Sequence, residues 1–126
     1  MQMSKLSKDE CLVFNGSYLS LACMGIGSII LKFLGQDSRQ ISIVINSKFE
    51  WTDRINKVIG DGNDPITVSS LYPILNLTIL NVCQSEEGIL QINFENNGQL
   101  EIFPNVDGFE SYVIYLPGSI GGLITH

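Results

Sequence analysis

Residues 77–103, LTILNVCQSEEGILQINFENNGQLEIF, alternate apolar and polar side chains, and a period of two restricts this span to half-buried β-strands. Leu90, Ile92 and Phe94 alternate with Gln91, Asn93 and Glu95, and Leu100 and Ile102 alternate with Gln99 and Glu101. As three antiparallel strands they carry Gln91, Asn93, Glu95, Gln99 and Glu101 on one wet face with no cation among them. Directly opposed side chains share a face, so register discriminates between turns. A two-residue Asn97-Gly98 turn sets Phe94 against Glu101 and mixes core with solvent. A three-residue loop, Asn96-Asn97-Gly98, sets Phe94 against Leu100, Ile92 against Ile102 and Asn93 against Glu101, and is preferred. Gly98 is then expected to supply the left-handed residue of a bulged turn.

The same pattern occurs earlier in the chain. An offset of about 61 residues brings Leu19 onto Leu80, Leu21 onto Val82, Gly27 onto Gly88, Ile29 onto Leu90, Leu31 onto Ile92 and Phe33 onto Phe94. An offset of about 59 brings Ile41 onto Leu100 and Ile43 onto Ile102, with two extra residues in the first copy's GQDSRQ loop. The chain therefore reads as two related three-strand meanders. Ile30, Leu34 and Val44 make the outward face of the first one apolar, so the linker or the other sheet is expected to cover it.

Between the copies, residues 48–67 read as a connector: a turn or short helix at Trp51 to Ile55, then the loop GDGNDP. Ser69 and Ser70 offer a hydroxyl cap for a short helix limited by Pro73. After Phe103, PNVDG turns the chain into a strand over 109–116, and Pro117-Gly118 and Gly121-Gly122 bracket a last turn before Leu123-Ile124. The expected fold is mainly β, with about eight strands and one small helix, in a two-sheet sandwich or flattened barrel. Its 126 residues suit a single domain, 1–126, with the polar residues 1–10 loosely held.

Charge divides the chain. All seven cations, Lys5, Lys8, Lys32, Arg39, Lys48, Arg54 and Lys57, precede position 58, where five carboxylates leave a net +2. From Val58 onward there are eight carboxylates and no cation, a net −8, and the chain totals −6. Such a field repels nucleic acid and anionic lipid and attracts a basic partner. The N-terminal decapeptide lacks the apolar segment of a secretory signal, and no stretch is long and clean enough to span a bilayer, so the expected address is the cytoplasm. Cys11, Cys23 and Cys83, widely spaced and without a histidine between them, fit buried thiols in a reducing compartment rather than a metal site.

Catalytic chemistry finds little support. The only histidine is the terminal His126, so serine and cysteine lack their usual base. Gly25-Ile26-Gly27-Ser28 begins like a dinucleotide loop but lacks the third glycine and reads as a turn. The carboxylate pairs Glu86 with Glu87, and Glu95 with Glu101, lack the cleft and sugar platform of a glycosidase. The expectation is a non-enzyme with no cofactor and no metal. A carboxylate-dependent hydrolase and a small-molecule-binding β-barrel with an apolar cavity are the alternatives.

The run Gly88-Ile89-Leu90-Gln91-Ile92-Asn93-Phe94, then Gly98-Gln99-Leu100-Glu101-Ile102, then Asp107-Gly108-Phe109-Glu110-Ser111-Tyr112 and finally Gly121-Gly122-Leu123 resembles a family of small bacterial β-rich domains. Its members carry the succession G-x-L-x-h-x-F, G-x-x-L, aromatic-Glu-x-Trp, Pro-Gly-Gly. Many look like immunity proteins of contact-dependent growth inhibition and other polymorphic toxin systems. Here Tyr112 stands where the family favours Trp, and Ile120 where it favours Pro. The resemblance implies a bacterial immunity protein that binds and neutralises a cognate toxin in a 1:1 complex. The acidic surface suits a basic nuclease toxin, with contacts at Glu86, Glu87, Glu95 and Glu101, and at Asp107 and Glu110. Neither nucleic acid nor membrane is an expected partner.

Overall fold

The computed structural model describes residues 5–35, 39–105 and 111–117, and the backbone of a strand at 123–125. A short helix, α1 (Lys8–Val13), precedes β1 (Tyr18–Gly25), β2 (Ser28–Leu34), β3 (Gln40–Ile45), β4 (Lys48–Thr52) and β5 (Lys57–Asp61). A 3-10 helix (Pro65–Ile74) leads into β6 (Ile79–Gln84), β7 (Leu90–Phe94), β8 (Gln99–Ile102), β9 (Tyr112–Tyr115) and β10 (Leu123–Thr125). The strands form two antiparallel sheets, ordered β1-β2-β3-β9-β10 and β5-β4-β8-β7-β6. The result is mainly β, as the alternation implies, and a sandwich rather than a barrel, because the sheets do not close on each other.

The two meanders are present, one per sheet, and the duplication extends beyond them. Each half adds a hairpin to the opposite sheet: β4–β5 pairs with β8, and β9–β10 pairs with β3. Backbone hydrogen bonds obey the same exchange. Leu19 N–H donates to Leu77 O and Ile79 N–H to Ser17 O, while Gly16 N–H donates to Ile79 O and Asn76 N–H to Leu19 O. Gly16 and Asn76, at equivalent places in the two halves, both take left-handed backbone, with φ 83° and 72°. Asn46 N–H donates to Ser111 O where the other half has Phe103 N–H donating to Lys48 O.

The offsets differ from those read along the sequence. β1 and β6 correspond at an offset of 60 rather than 61: both carry a bulge, at Leu19/Leu21 and Ile79/Asn81, and Ala22 pairs Leu31 as Val82 pairs Ile92. A one-residue slip exchanges the faces, which is why Leu19 is buried but Leu80 is 53% exposed. For β3 and β8 the offset is 57 rather than 59, because the first hairpin runs two residue pairs further, through Leu34–Gln40 and Gly35–Arg39.

The register of β7 with β8 also moves by two. Ile92 opposes Leu100 and Asn93 opposes Gln99, and the loop is Glu95-Asn96-Asn97, closed by Phe94 N–H donating to Gly98 O. A shift of two keeps every side chain on its face, so the burial pattern survives. The left-handed residue is Asn97, φ 65°, and not Gly98. Gly98 is glycine for another reason: a Cβ there would lie 2.2 Å from the Trp51 ring.

The largest departure is the connector. Residues 48–61 are a hairpin that completes the second sheet. Phe49 and Trp51 point into the core, but their partner strand places Gly60 inward and Ile59 outward, which hides the alternation. Phe49 lies over Gly60, where a Cβ would meet its ring at 2.1 Å. The 3-10 helix begins at Pro65 rather than at the serines and buries Val68, Leu71 and Ile74 against the core, packing on β1, β5 and β2. Residues 5–13 are also integral: Ser7 and Glu10 form a reciprocal capping box, and Leu6 is buried. Tyr112 joins the sheets: its Oη donates to Gly88 O at 2.8 Å and accepts from Gln84 Nε2 at 2.7 Å, while Gln84 Oε1 accepts from Leu6 N–H of the first half.

Candidate protein-binding surface

The outward face of the second sheet is built of two rows set by register. One runs Ile59, Glu50, Glu101, Gln91, Cys83 and the other Lys57, Thr52, Gln99, Asn93, Asn81. In the second row the amides satisfy one another: Asn93 Nδ2 donates to Asn81 Oδ1 at 2.7 Å, and Asn93 Oδ1 accepts from Gln99 Nε2 at 3.2 Å. In the first row Glu50 and Glu101 stand directly opposite. Like charges so placed destabilise a sheet. Lys57 Nζ lies 3.2 Å from Glu50 Oε1, an ion pair at the edge of this face. The face expected to lack cations thus receives Lys48 and Lys57 from the β4–β5 hairpin, which comes from the basic half of the chain.

The carboxylates predicted from sequence do not form one cluster. Glu86 and Glu87 are exposed in the β6–β7 turn. Glu95 is exposed beyond the other end of β7, roughly 25 Å away at the rise of an extended chain. Strand β7 ends at Phe94, and Glu95 turns toward the sheet edge, its N–H donating to Thr78 O at 3.0 Å and its Oε1 accepting from Thr78 N–H at 3.4 Å. Glu101 is half-buried in the middle of the sheet. Asp107 and Glu110 lie outside the described residues.

Beside Glu50 runs a groove of about 460 Å³ with Ile59, Phe103 and Pro104 as apolar walls and Lys48, Glu50 and Asp61 at its rim. Glu50, Asp61 and Ile59 were not among the residues singled out by sequence. The β4–β5 hairpin sets Ile59 opposite Glu50 and Asp61 opposite Lys48, and no local pattern reports the β4–β8 pairing that then sets Glu50 opposite Glu101. Together the carboxylates and apolar walls suit a long cationic side chain, with its stem on Ile59 and Phe103 and its head at Glu50.

Among the described residues three titrating groups are displaced. Asp53 is held below the usual carboxylate range because its Oδ1 accepts from the N–H groups of Asn56 and Ile55; the Trp51 indole donates to its other oxygen. It is a turn-former between β4 and β5. Burial pushes the Tyr112 phenol up to about 12, partly countered by the Gln84 hydrogen bond. Burial also pushes the Cys11 thiol up, assisted by nearby Cys83 and Glu10. None of the three cysteines is fully buried, and Cys83 is exposed, because register turns Cys23 and Cys83 outward.

Among the described residues no group of three or more His, Cys, Asp or Glu side chains is placed to hold a metal ion, and no helix is long and apolar enough to cross a membrane. Phe33, Phe49, Phe94 and Tyr112 fill the space between the sheets. Comparison with protein-family models, curated proteins and solved structures found no match.

Proposed function

We propose that this protein is a non-enzymatic inhibitor of the immunity type, which binds a cognate basic toxin domain in the cytoplasm and covers its phosphate-binding surface. A nuclease is the toxin class that best suits the charge. The observation that carries this reading is the cross-strand pair Glu50–Glu101. Two like charges on a solvent-facing sheet cost the free protein stability, and a cation inserted between them removes that cost while being desolvated itself. The groove walled by Ile59 and Phe103 offers such a cation a place for its apolar stem.

The mechanism is electrostatic. The chain's charge of −6, with no cation after Lys57, attracts a basic partner over a Debye length and raises the association rate. Close pairs then slow dissociation, each coupling by about 1.5 to 7 kcal/mol where geometry is good. Glu86, Glu87 and Glu95, at the two ends of β7, steer the approach, and Glu50 with Glu101 anchors it. The test is a pull-down and calorimetric titration with the product of the neighbouring gene. The expected result is a 1:1 stoichiometry whose association rate falls as salt rises and whose affinity collapses on reversing Glu50 and Glu101. A complex indifferent to those reversals, or no complex at all, refutes the reading.

A further inference from the structure

Strand β5 is an edge of the second sheet, and its hydrogen-bond phase decides which of its backbone groups are unused. Gly62 N–H donates to Ser47 O and Asp53 N–H donates to Asn56 O, so the bonded pairs of this hairpin alternate from those two ends. Between them the bonded pairs are Phe49–Gly60 and Trp51–Val58. Lys57, Ile59 and Asp61 therefore turn N–H and C=O away from β4. Asp61 is already covered: Thr67 Oγ1 accepts from its N–H at 3.1 Å and lies 3.0 Å from its carbonyl oxygen. The N–H and C=O of Lys57 and Ile59 meet no partner among the described residues, and the Ile59 side chain is 66% exposed. The opposite edge is different. There β6 is flanked by α1, and Ile79 exchanges bonds with Gly16 and Ser17.

We propose that an extended cationic segment of the partner adds to β5 as a further antiparallel strand. The inference rests on the reading of this face as the site for a basic protein, and it names how that protein is held. Residues opposite Lys57 and Ile59 each exchange two main-chain bonds with them, which supplies affinity without regard to side chain.

Charge fixes the occupant. A side chain opposite Ile59 stands on the outward face, at the mouth of the groove that runs over Ile59 and past Glu50 to Phe103. Strand β4 lies two strand spacings from the added strand, about 9.6 Å, which an extended arginine or lysine and the glutamate reaching to meet it can bridge. Its stem lies on Ile59 and its head meets Glu50, with Asp61 beside it. Glu50, Asp61 and, one strand further, Glu101 outnumber Lys48 and Lys57 on this corner of the sheet. Two residues along the added strand, opposite the exposed Lys57, a second cation is repelled and a carboxylate is favoured. The segment recognised thus reads cation, any residue, carboxylate.

Amide exchange of the full chain, followed residue by residue by NMR, tests this. In the free chain the amides of Lys57 and Ile59 are expected to exchange at least about 100-fold faster than those of Val58 and Gly60. The probe is a synthetic disulfide-closed β-hairpin peptide with arginine and, two residues on, glutamate on one face of its outer strand. It is expected to bind with a Kd of about 1 mM or below and to slow exchange at Lys57 and Ile59. Exchanging its arginine for glutamate, or methylating the outer-strand amides, should weaken binding at least about 10-fold while leaving the protein untouched. Ile59→Pro deletes the outward N–H without removing a bond to β4 and should abolish binding, whereas Ile59→Val should keep it. Protected Lys57 and Ile59 amides in the free chain overturn the proposal, as does a hairpin that binds elsewhere or not at all at about 5 mM. The same measurement on the complex with the neighbouring gene's product separates the two ideas. A complex that needs Glu50 and Glu101 but leaves both amides exchanging as in the free chain overturns the added strand alone. A hairpin held at β5 with no such complex supports the edge site and overturns the toxin reading.

Discussion

Replacing Glu101 by Gln is expected to stabilise the free protein while weakening its capture of a cationic partner. Glu50 and Glu101 are direct cross-strand neighbours on a half-exposed face. Cβ atoms so placed are about 5 Å apart, so the two charges sit about 6 Å from each other. Coulomb repulsion at that distance is about 0.7 kcal/mol at the dielectric of water and about 1.4 at half that value. Screening at physiological salt, with a Debye length of about 8 Å, halves these figures. Lys57, 3.2 Å from Glu50, offsets part of the remainder. The expected gain is thus about 0.5 kcal/mol for Glu101→Gln and about 1 kcal/mol for Glu101→Lys, where repulsion becomes attraction. Urea denaturation followed by Trp51 fluorescence measures it, with Glu50→Gln completing a double-mutant cycle. The gain must shrink between about 20 mM and about 500 mM salt and vanish when Glu50 is already neutral. A Glu101→Gln protein that is less stable than the natural chain at low salt, or a cycle with no coupling, refutes the account of this pair.

Tyr112→Phe deletes a buried hydroxyl and takes from Gln84 Nε2 and Gly88 O the partner they share, an expected loss of about 1 to 3 kcal/mol in urea denaturation. The same phenol gives an alkaline transition. Its folded pKa is raised to about 12 against about 10 unfolded, so its contribution, about 2 to 3 kcal/mol, is intact below pH 10 and is lost as pH rises through 12. Stability measured from pH 9 to 12 should fall in the natural chain and fall less in Tyr112→Phe. Gly98→Ala drives a methyl into the Trp51 ring and should cost about 1 to 3 kcal/mol with a shift in tryptophan emission. Gly27→Ala, where φ is +69° and nothing lies within 4 Å, should cost about 1 to 2 kcal/mol through the backbone alone and leave the emission unmoved.

Period-two alternation made the meanders legible because each strand has one wet and one dry face, and that pattern depends on nothing outside the strand. Leu90, Ile92, Phe94, Leu100 and Ile102 are all buried as it requires. The turn residues were less legible. The register consistent with face matching can slip by two without changing any side chain's face, and what fixes it here is Trp51 lying over Gly98, a contact from a strand in the other half of the chain. The β4–β5 hairpin escaped detection because its inward position on β5 is filled by Gly60 beneath Phe49 while Ile59 faces out. A strand that borrows its neighbour's aromatic ring to fill its own core position has no alternation to read.

The candidate site divides along the same line. Glu86, Glu87, Glu95 and Glu101 could be named from charge and exposure, but alternation alone placed Glu95 and Glu101 together, and the end of β7 at Phe94 separates them. Glu50 joined the site only through the exchange of hairpins between the two halves.

By itself, the amino-acid sequence determined which residues face inward on β2, β3, β7 and β8, that the chain carries two copies of one meander, and that its second half holds no cation. These properties are local or additive. Tertiary structure decided which hairpin completes which sheet, and with it that the basic half's Lys48, Lys57 and Glu50 share a face with Glu101. Strand exchange between copies is a long-range pairing whose specificity lies in shape, here the Trp51 ring over Gly98, and such complementarity exists only once the halves have met.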